Sequence, residues 1–234
     1  MQSIFWGEFL GTMVLIYLGN GVVANALLSK TKGNGTGLLA IAPAWAFAVT
    51  MGIFVATFFG SAGANLNPAV TIANATRSGD YTMVLPMITA QMLGAITGAT
   101  LVWLQYKDHY AATEDKALKL ATFSTGPAIK NIPMNFLSEF LASFIMGLVG
   151  ATLGSINNGL GPFAVGLMIW AIGLSLGGTT GYAINPARDL GPRIAHALLP
   201  VASKGDSDWG YAWIPVVGPI CGAIVGGLVA GMAS

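Results

Sequence analysis

Apolar residues in this chain run in long unbroken blocks separated by short polar stretches, with neither strand alternation nor a one-sided helical stripe. A helix needs about 20 apolar residues to cross about 30 Å of hydrocarbon. Six blocks reach or approach that length: 4–28, 38–59, 83–106, 136–155, 162–176 and 212–232. Ala24-Asn25-Ala26 resembles a leader cleavage site, but no basic residue precedes the first apolar run, so it reads as a retained span. The polar stretches are 29–37, 107–135 and 203–209. The middle one carries Lys107, Asp108, Glu114, Asp115, Lys116, Lys119 and Lys130, and reads as an exposed connector between two halves.

Composition strengthens that picture. Charged residues make up 8% of the 234 residues, against roughly 25% in soluble domains. Hydrophobic residues make up 54%, and mean hydropathy is +0.70. So few charges cannot cover a water-exposed surface, which argues against disorder and nucleic-acid partners and leaves an all-α membrane protein in a lipid bilayer. Glycine, at 32 residues, is about twice its usual share and suits helices packed backbone to backbone. The pairs Gly7/Gly11, Gly94/Gly98, Gly150/Gly154, Gly222/Gly226 and Gly227/Gly231 read as packing contacts. Cys221 permits no internal disulfide, and His109 and His196 stand alone, so no metal site is expected. No phosphate loop or paired catalytic carboxylates occur, so neither an enzyme nor a cofactor is expected.

The chain also matches itself. Gly7-Glu8-Phe9-Leu10-Gly11-Thr12 opens the first span, and Ser138-Glu139-Phe140-Leu141-Ala142-Ser143 opens the fourth. Gly63-Ala64-Asn65-Leu66-Asn67-Pro68-Ala69 parallels Gly181-Tyr182-Ala183-Ile184-Asn185-Pro186-Ala187. Repeats 1–106 and 135–234 therefore flank a connector, 107–134, within one domain, 1–234. Three spans per half is an odd number, so the second half enters the membrane inverted, and such repeats place their site at the midplane.

The segments after the boxes, 70–76 and 188–198, are too short to cross and read as re-entrant half-helices. Asparagine suits the N-cap, where its oxygen accepts a backbone N–H, and proline suits N1. Two N–H donors of each amide then remain for the midplane. One such triplet would be an ordinary helix start, whereas two at matching places in a repeat point to a pore. Glu8 and Glu139, early in apolar spans, read as buried acceptors for the re-entrant N–H groups, the alternative being interfacial charges.

These boxes, the Glu-Phe-Leu openings and the run Asn185-Pro186-Ala187-Arg188-Asp189-Leu190-Gly191-Pro192-Arg193 resemble the aquaporin superfamily over essentially the whole chain. The resemblance implies six transmembrane helices plus two half-helices, a pore in each subunit, a homotetramer and cytoplasmic termini in the cell membrane. Loop charge opposes that orientation, since seven lysines lie in the odd-numbered loops and only Arg77 lies near the membrane on the other side. Asp189 followed four residues later by Arg193, and Trp213-Ile214-Pro215-Val216, resemble the glycerol-facilitator branch. The family pattern places a selectivity filter at Arg188, Tyr182 and Gly173, the last leaving room for carbon-bearing solutes. Its fourth member is Trp45 or, by spacing to Asn67, Phe47. Asn65 stands where a histidine is common, and Tyr182 adds a hydroxyl to the aromatic wall.

The implied activity is passive diffusion of glycerol and similar small neutral solutes, with water, while ions and protons are excluded. Two rings would face the C–H side of glycerol, and Arg188 with carbonyls of Gly63, Ala64, Asn65, Gly181, Tyr182 and Ala183 its hydroxyls. A water-selective pore and a secondary transporter are the alternatives, although the latter usually needs midplane acids or a cation site.

Overall fold

The computed structural model describes residues 2–153, 156 and 159–233. The helices are α1 (Gln2–Leu27), α2 (Leu38–Phe58), α3 (Pro68–Ser78), α4 (Val84–Gln105), α5 (Lys107–Ala112), α6 (Lys116–Ala121), α7 (Ile132–Leu153), α8 (Gly161–Leu176), α9 (Pro186–Leu198) and α10 (Ile214–Gly231). No strand occurs among the described residues. Five of these helices are long and apolar enough to cross a membrane, and α8, at 16 residues, is a shorter apolar helix. The chain is a multi-pass membrane protein.

The packing is built twice. α1 lies against α2 and α4, as α7 lies against α8 and α10, and the two sets meet chiefly where α2 crosses α8. The half-helices are exchanged: α3 rests on α10 and α9 rests on α4. Glycine sets the closest approaches. A Cβ at Gly98 of α4 would lie 2.6 Å from the carbonyl oxygen of Met13 on α1. Likewise, one at Gly147 of α7 would lie 2.5 Å from that of Ala223 on α10. Bare backbone lets these helices touch where side chains would hold them apart.

One expected packing pair behaves differently. A Cβ at Gly227 would lie at ordinary contact distance from Ala73 and Arg77 of α3, and one at Gly231 would meet nothing within 4 Å, so neither forces the close backbone approach seen at Gly98 and Gly147. Gly154, partner of Gly150, and Ser155 at the expected end of the fourth span lie outside the described residues.

The connector departs most from expectation. Rather than a solvated strap, it folds into α5 and α6, and α7 begins at Ile132, four residues before the expected span. Tyr110 and Phe123 are 1% exposed. Even Lys119 is buried, its Nζ donating to the Ala202 carbonyl. Ser29 N donates to Thr113 Oγ1 on one side, and Ala128 N donates to Thr179 O on the other, pinning both ends of the connector. Lys107, Asp108, Glu114, Asp115, Lys116 and Lys130 are exposed as expected, and the buried positions are chiefly the uncharged residues between them.

Beyond the membrane-spanning segments, the Thr82 backbone N–H and side chain hold the Asp80 carboxyl below its usual range. Burial likewise draws the Lys204 ammonium below the ordinary lysine value. That ammonium donates to the carbonyls of His196, Ala197 and Leu199 at 2.6, 2.7 and 2.6 Å, closing the end of α9.

Candidate functional site

Both half-helices start as their triplets dictate. Asn67 Oδ1 accepts Ala69 N at 2.9 Å, and Asn185 Oδ1 accepts Ala187 N at 3.0 Å and Arg188 N at 3.2 Å, with Pro68 and Pro186 at N1. The tips meet and exchange hydrogen bonds. Asn67 Nδ2 donates to Ile184 O at 2.8 Å, and Asn185 Nδ2 donates to Leu66 O at 2.9 Å. Each amide thus spends one donor on the opposite half, so the expectation of two free donors is corrected. Leu66 and Ile184 went unnoticed in the sequence because what matters there is a carbonyl, which any residue supplies.

The stretches entering each tip are held by the repeated acids, both 0% exposed. Glu8 accepts Asn65 N at 2.9 Å, Leu66 N at 2.8 Å and Ser61 Oγ at 2.7 Å. Glu139 accepts Ala183 N and Ile184 N at 2.9 Å and Thr180 Oγ1 at 2.7 Å. Gln91 adds a further donor to Glu8 at 2.8 Å, without a counterpart at Glu139. No peptide here is cis, so each N–H and its neighbouring C=O point in opposite directions. The carbonyls of Ala64, Asn65, Tyr182 and Ala183 therefore turn away from the carboxylates. Ala64, Leu66, Tyr182 and Ile184 all hold positive φ, between 33° and 53°, a conformation disfavoured for side-chain-bearing residues. The two acids, each satisfied by several donors, offset that strain.

A cavity of about 670 Å³ runs past both asparagines. Gly63, Ala64, Asn65, Tyr182 and Ala183 border it, while Gly181 lies outside, against Thr125. One end is lined by Asn74 and Arg77 at the C-terminal end of α3. The other end is lined by Trp45, Tyr182 and Arg188.

At that end Trp45 is 5% exposed, and the Arg188 guanidinium carbon sits 4.2 Å from its ring centroid. Phe47 is 58% exposed and lies outside the cavity. Gly173 corrects an expectation. A Cβ there would lie 2.9 Å from Tyr182 Cζ, so its space is filled by the tyrosine ring instead of lying open to solute. Gly19 does the same for Trp45, whose ring fills the place its Cβ would take.

Arg188 Nη1 donates to Phe123 O at 3.1 Å and to Asn20 Oδ1 at 3.3 Å. Neither partner was singled out in the sequence: Phe123 acts through its carbonyl, and Asn20 is one amide in an apolar run. Asp189, 0% exposed, accepts Arg193 Nε at 2.9 Å and Thr125 N at 2.7 Å. Arg193 continues to the carbonyls of Thr125, Ser207 and Asp208, so this pair anchors α9 to the connector and the last loop. Among the described residues no group of His, Cys, Asp and Glu is placed to hold a metal.

The arrangement offers a polar strip of carbonyls and amides, an aromatic wall and one buried cation to whatever enters. Comparison with known proteins places it. The major intrinsic protein family model matches residues 2–230. The glycerol uptake facilitator protein of Streptococcus pneumoniae is 55% identical over 223 residues, covering 94% of each chain. Glycerol uptake facilitator protein 3 of Lactiplantibacillus plantarum is 51% identical over 217 residues, 92% of this chain and 90% of that one. In three dimensions, the X-ray structure of the aquaglyceroporin from Plasmodium falciparum superimposes with a TM-score of 0.82 at 30% identity, over 97% of this chain and 94% of the other. Two asparagine-tipped half-helices joined tip to tip, in a chain matched almost end to end, make this protein a member of the major intrinsic protein family.

Proposed function

We propose that this protein is a passive channel carrying glycerol and similar small neutral solutes, with water, across the cell membrane while excluding ions and protons. The observation that carries this reading is the cavity running from Arg77, past the two asparagine tips, to Trp45, Tyr182 and Arg188. A solute stripped of water needs a partner for each polar group, since an unsatisfied one costs several kcal/mol. The cavity supplies them: carbonyls of Ala64, Asn65, Tyr182 and Ala183, the remaining amide hydrogen of Asn185, and that of Asn67, which a solute would take from the weak sulfur acceptor of Met146. Trp45 and Tyr182 offer ring surface to C–H groups. Glycerol, hydroxylated along one edge, matches that division.

Arg188 repels cations, and the positive ends of α3 and α9 meet at the two asparagines, adding to the barrier. Asn67, Pro68, Ala69, Asn185, Pro186 and Ala187 form the midplane constriction in this reading, and Gly173 shapes the filter by seating Tyr182. Glu8, Glu139 and Asp189 support the lining without touching solute. Residues 1–106 and 135–234 act as inverted repeats, a reading supported by the matched bonds of Glu8 and Glu139. The subunit assembles as a homotetramer with both termini in the cytoplasm.

Proteoliposomes in a glycerol gradient test this. Fast, non-saturating swelling independent of any ion gradient is expected; saturable uptake that collapses with a proton gradient would overturn it. Arg188→Ala should keep glycerol flux within about two-fold while raising K⁺ leak by about ten-fold or more. Unchanged leak in the folded variant would remove Arg188 from the barrier.

A further inference from the structure

We propose that Asn20 is a positioning residue for Arg188: it fixes which edge of the guanidinium meets the solute and, being uncharged, leaves that cation its full charge. This rests on the filter reading above. Asn20 is 0% exposed, in the middle of the apolar α1, where an unpaired amide would be costly. Both ends of its amide are engaged. Nδ2 donates to Phe123 O at 3.1 Å, and Oδ1 accepts Arg188 Nη1 at 3.3 Å. The same Nη1 donates to the same Phe123 carbonyl, closing a triangle of span, connector and half-helix.

The internal repeat shows that this triangle is no general requirement of the fold. Twelve residues after Glu8 comes Asn20, whereas twelve residues after Glu139 comes Ala151. Directly after the second box comes Arg188, whereas directly after the first comes Val70. Two side chains without counterparts in the other half are hydrogen-bonded to each other.

The donor geometry gives the pair its consequence. Nη1 has two hydrogens, and Asn20 and Phe123 occupy both. Among the described residues Nε and Nη2 make no hydrogen bond to protein, so the opposite edge of the fork is left for solute hydroxyls. Trp45 covers its face. Both acceptors on Nη1 are dipoles. The nearby carboxylate, Asp189, forms its ion pair with Arg193 at 2.9 Å. A carboxylate at position 20 would stand within hydrogen-bond reach of Arg188 and cancel the charge that repels cations.

Three variants in proteoliposomes decide the matter, with glycerol flux reporting folded protein. Asn20→Asp should hold glycerol flux within about two-fold and raise K⁺ leak by about ten-fold. Asn20→Leu keeps the charge but frees the fork. It should leave K⁺ leak at the wild-type level and lower the glycerol-to-ribitol permeability ratio by about three-fold or more. Wild-type leak in Asn20→Asp, or an unchanged ratio in Asn20→Leu, overturns the proposal, and either variant suffices if the other does not fold. Arg188→Ala separates the two readings. If it leaks while Asn20→Asp does not, only the role of Asn20 falls; if Arg188→Ala is itself tight, the filter reading falls with it.

Discussion

Tyr182 shows how a single side chain is placed from both sides. Its ring lies over Gly173 and Gly177, and its buried hydroxyl has no hydrogen-bond partner among the described residues. Removing an unpaired hydroxyl relieves a desolvation cost of about 1–3 kcal/mol. Tyr182→Phe should therefore fold at least as well as wild type and pass glycerol undiminished; a lost flux with normal folding would make the hydroxyl a solute contact. Gly173→Ala tests the other face. Its Cβ, 2.9 Å from Tyr182 Cζ, forces the ring towards the cavity at a cost of about 1–3 kcal/mol. Glycerol flux should fall more than water flux when both are read by stopped-flow light scattering. An equal fall in both would mean that the ring does not set the width.

At the scale of the element, α9 is bounded at both ends by side chains that lie outside the helix. Asn185 caps its start, and Lys204 closes its finish through three carbonyls. Cations belong at a helix C-terminus, where orphan carbonyls concentrate negative charge. Lys204→Met keeps the aliphatic stem and removes the ammonium. Thermal unfolding in detergent should show a loss of about 1–2 kcal/mol, discounted because the lysine is partly solvated. A shift in midpoint below one degree would show that water serves those carbonyls equally well. The start of α9 was legible in the sequence because capping is local: the residue that caps is three or fewer positions from what it caps. Its end was not, since Lys204 folds back across a loop, and Ser203 adopts a positive φ of 49° that its side chain does not advertise. Glu8 and Glu139 were readable for another reason, repetition. Asn20 lacked both signals.

For the whole molecule, the block pattern of apolar residues set six spans and the repeated asparagine-proline-alanine boxes set two half-helices, whereas the connector misled because its uncharged residues, not its charges, report the buried side. Its first part attaches to the first half, whereas its second part bonds to both, through Phe123 to Asn20 and through Thr125 to Asp189. His109 Nδ1 meets Ser29 O at 3.0 Å, whereas Thr125 Oγ1 donates to Asp189 at 2.8 Å. Between them Glu114 and Asp115 are exposed. Fragments 1–114 and 115–234, expressed together, should assemble and restore glycerol flux in cells, because the break falls at exposed residues and the Asn20–Phe123 and Tyr110–Thr122 bonds that cross it can form on assembly. Failure of two stably inserted fragments to restore flux would show that the intact link is needed. The reciprocal bonds between the asparagine tips bear on the whole body as well. Each tip is stitched to the backbone bend that delivers the other, so neither lobe can swing without breaking both bonds. A machine that rocks between inward and outward mouths would have to break that seam on every cycle; a fixed sieve never does.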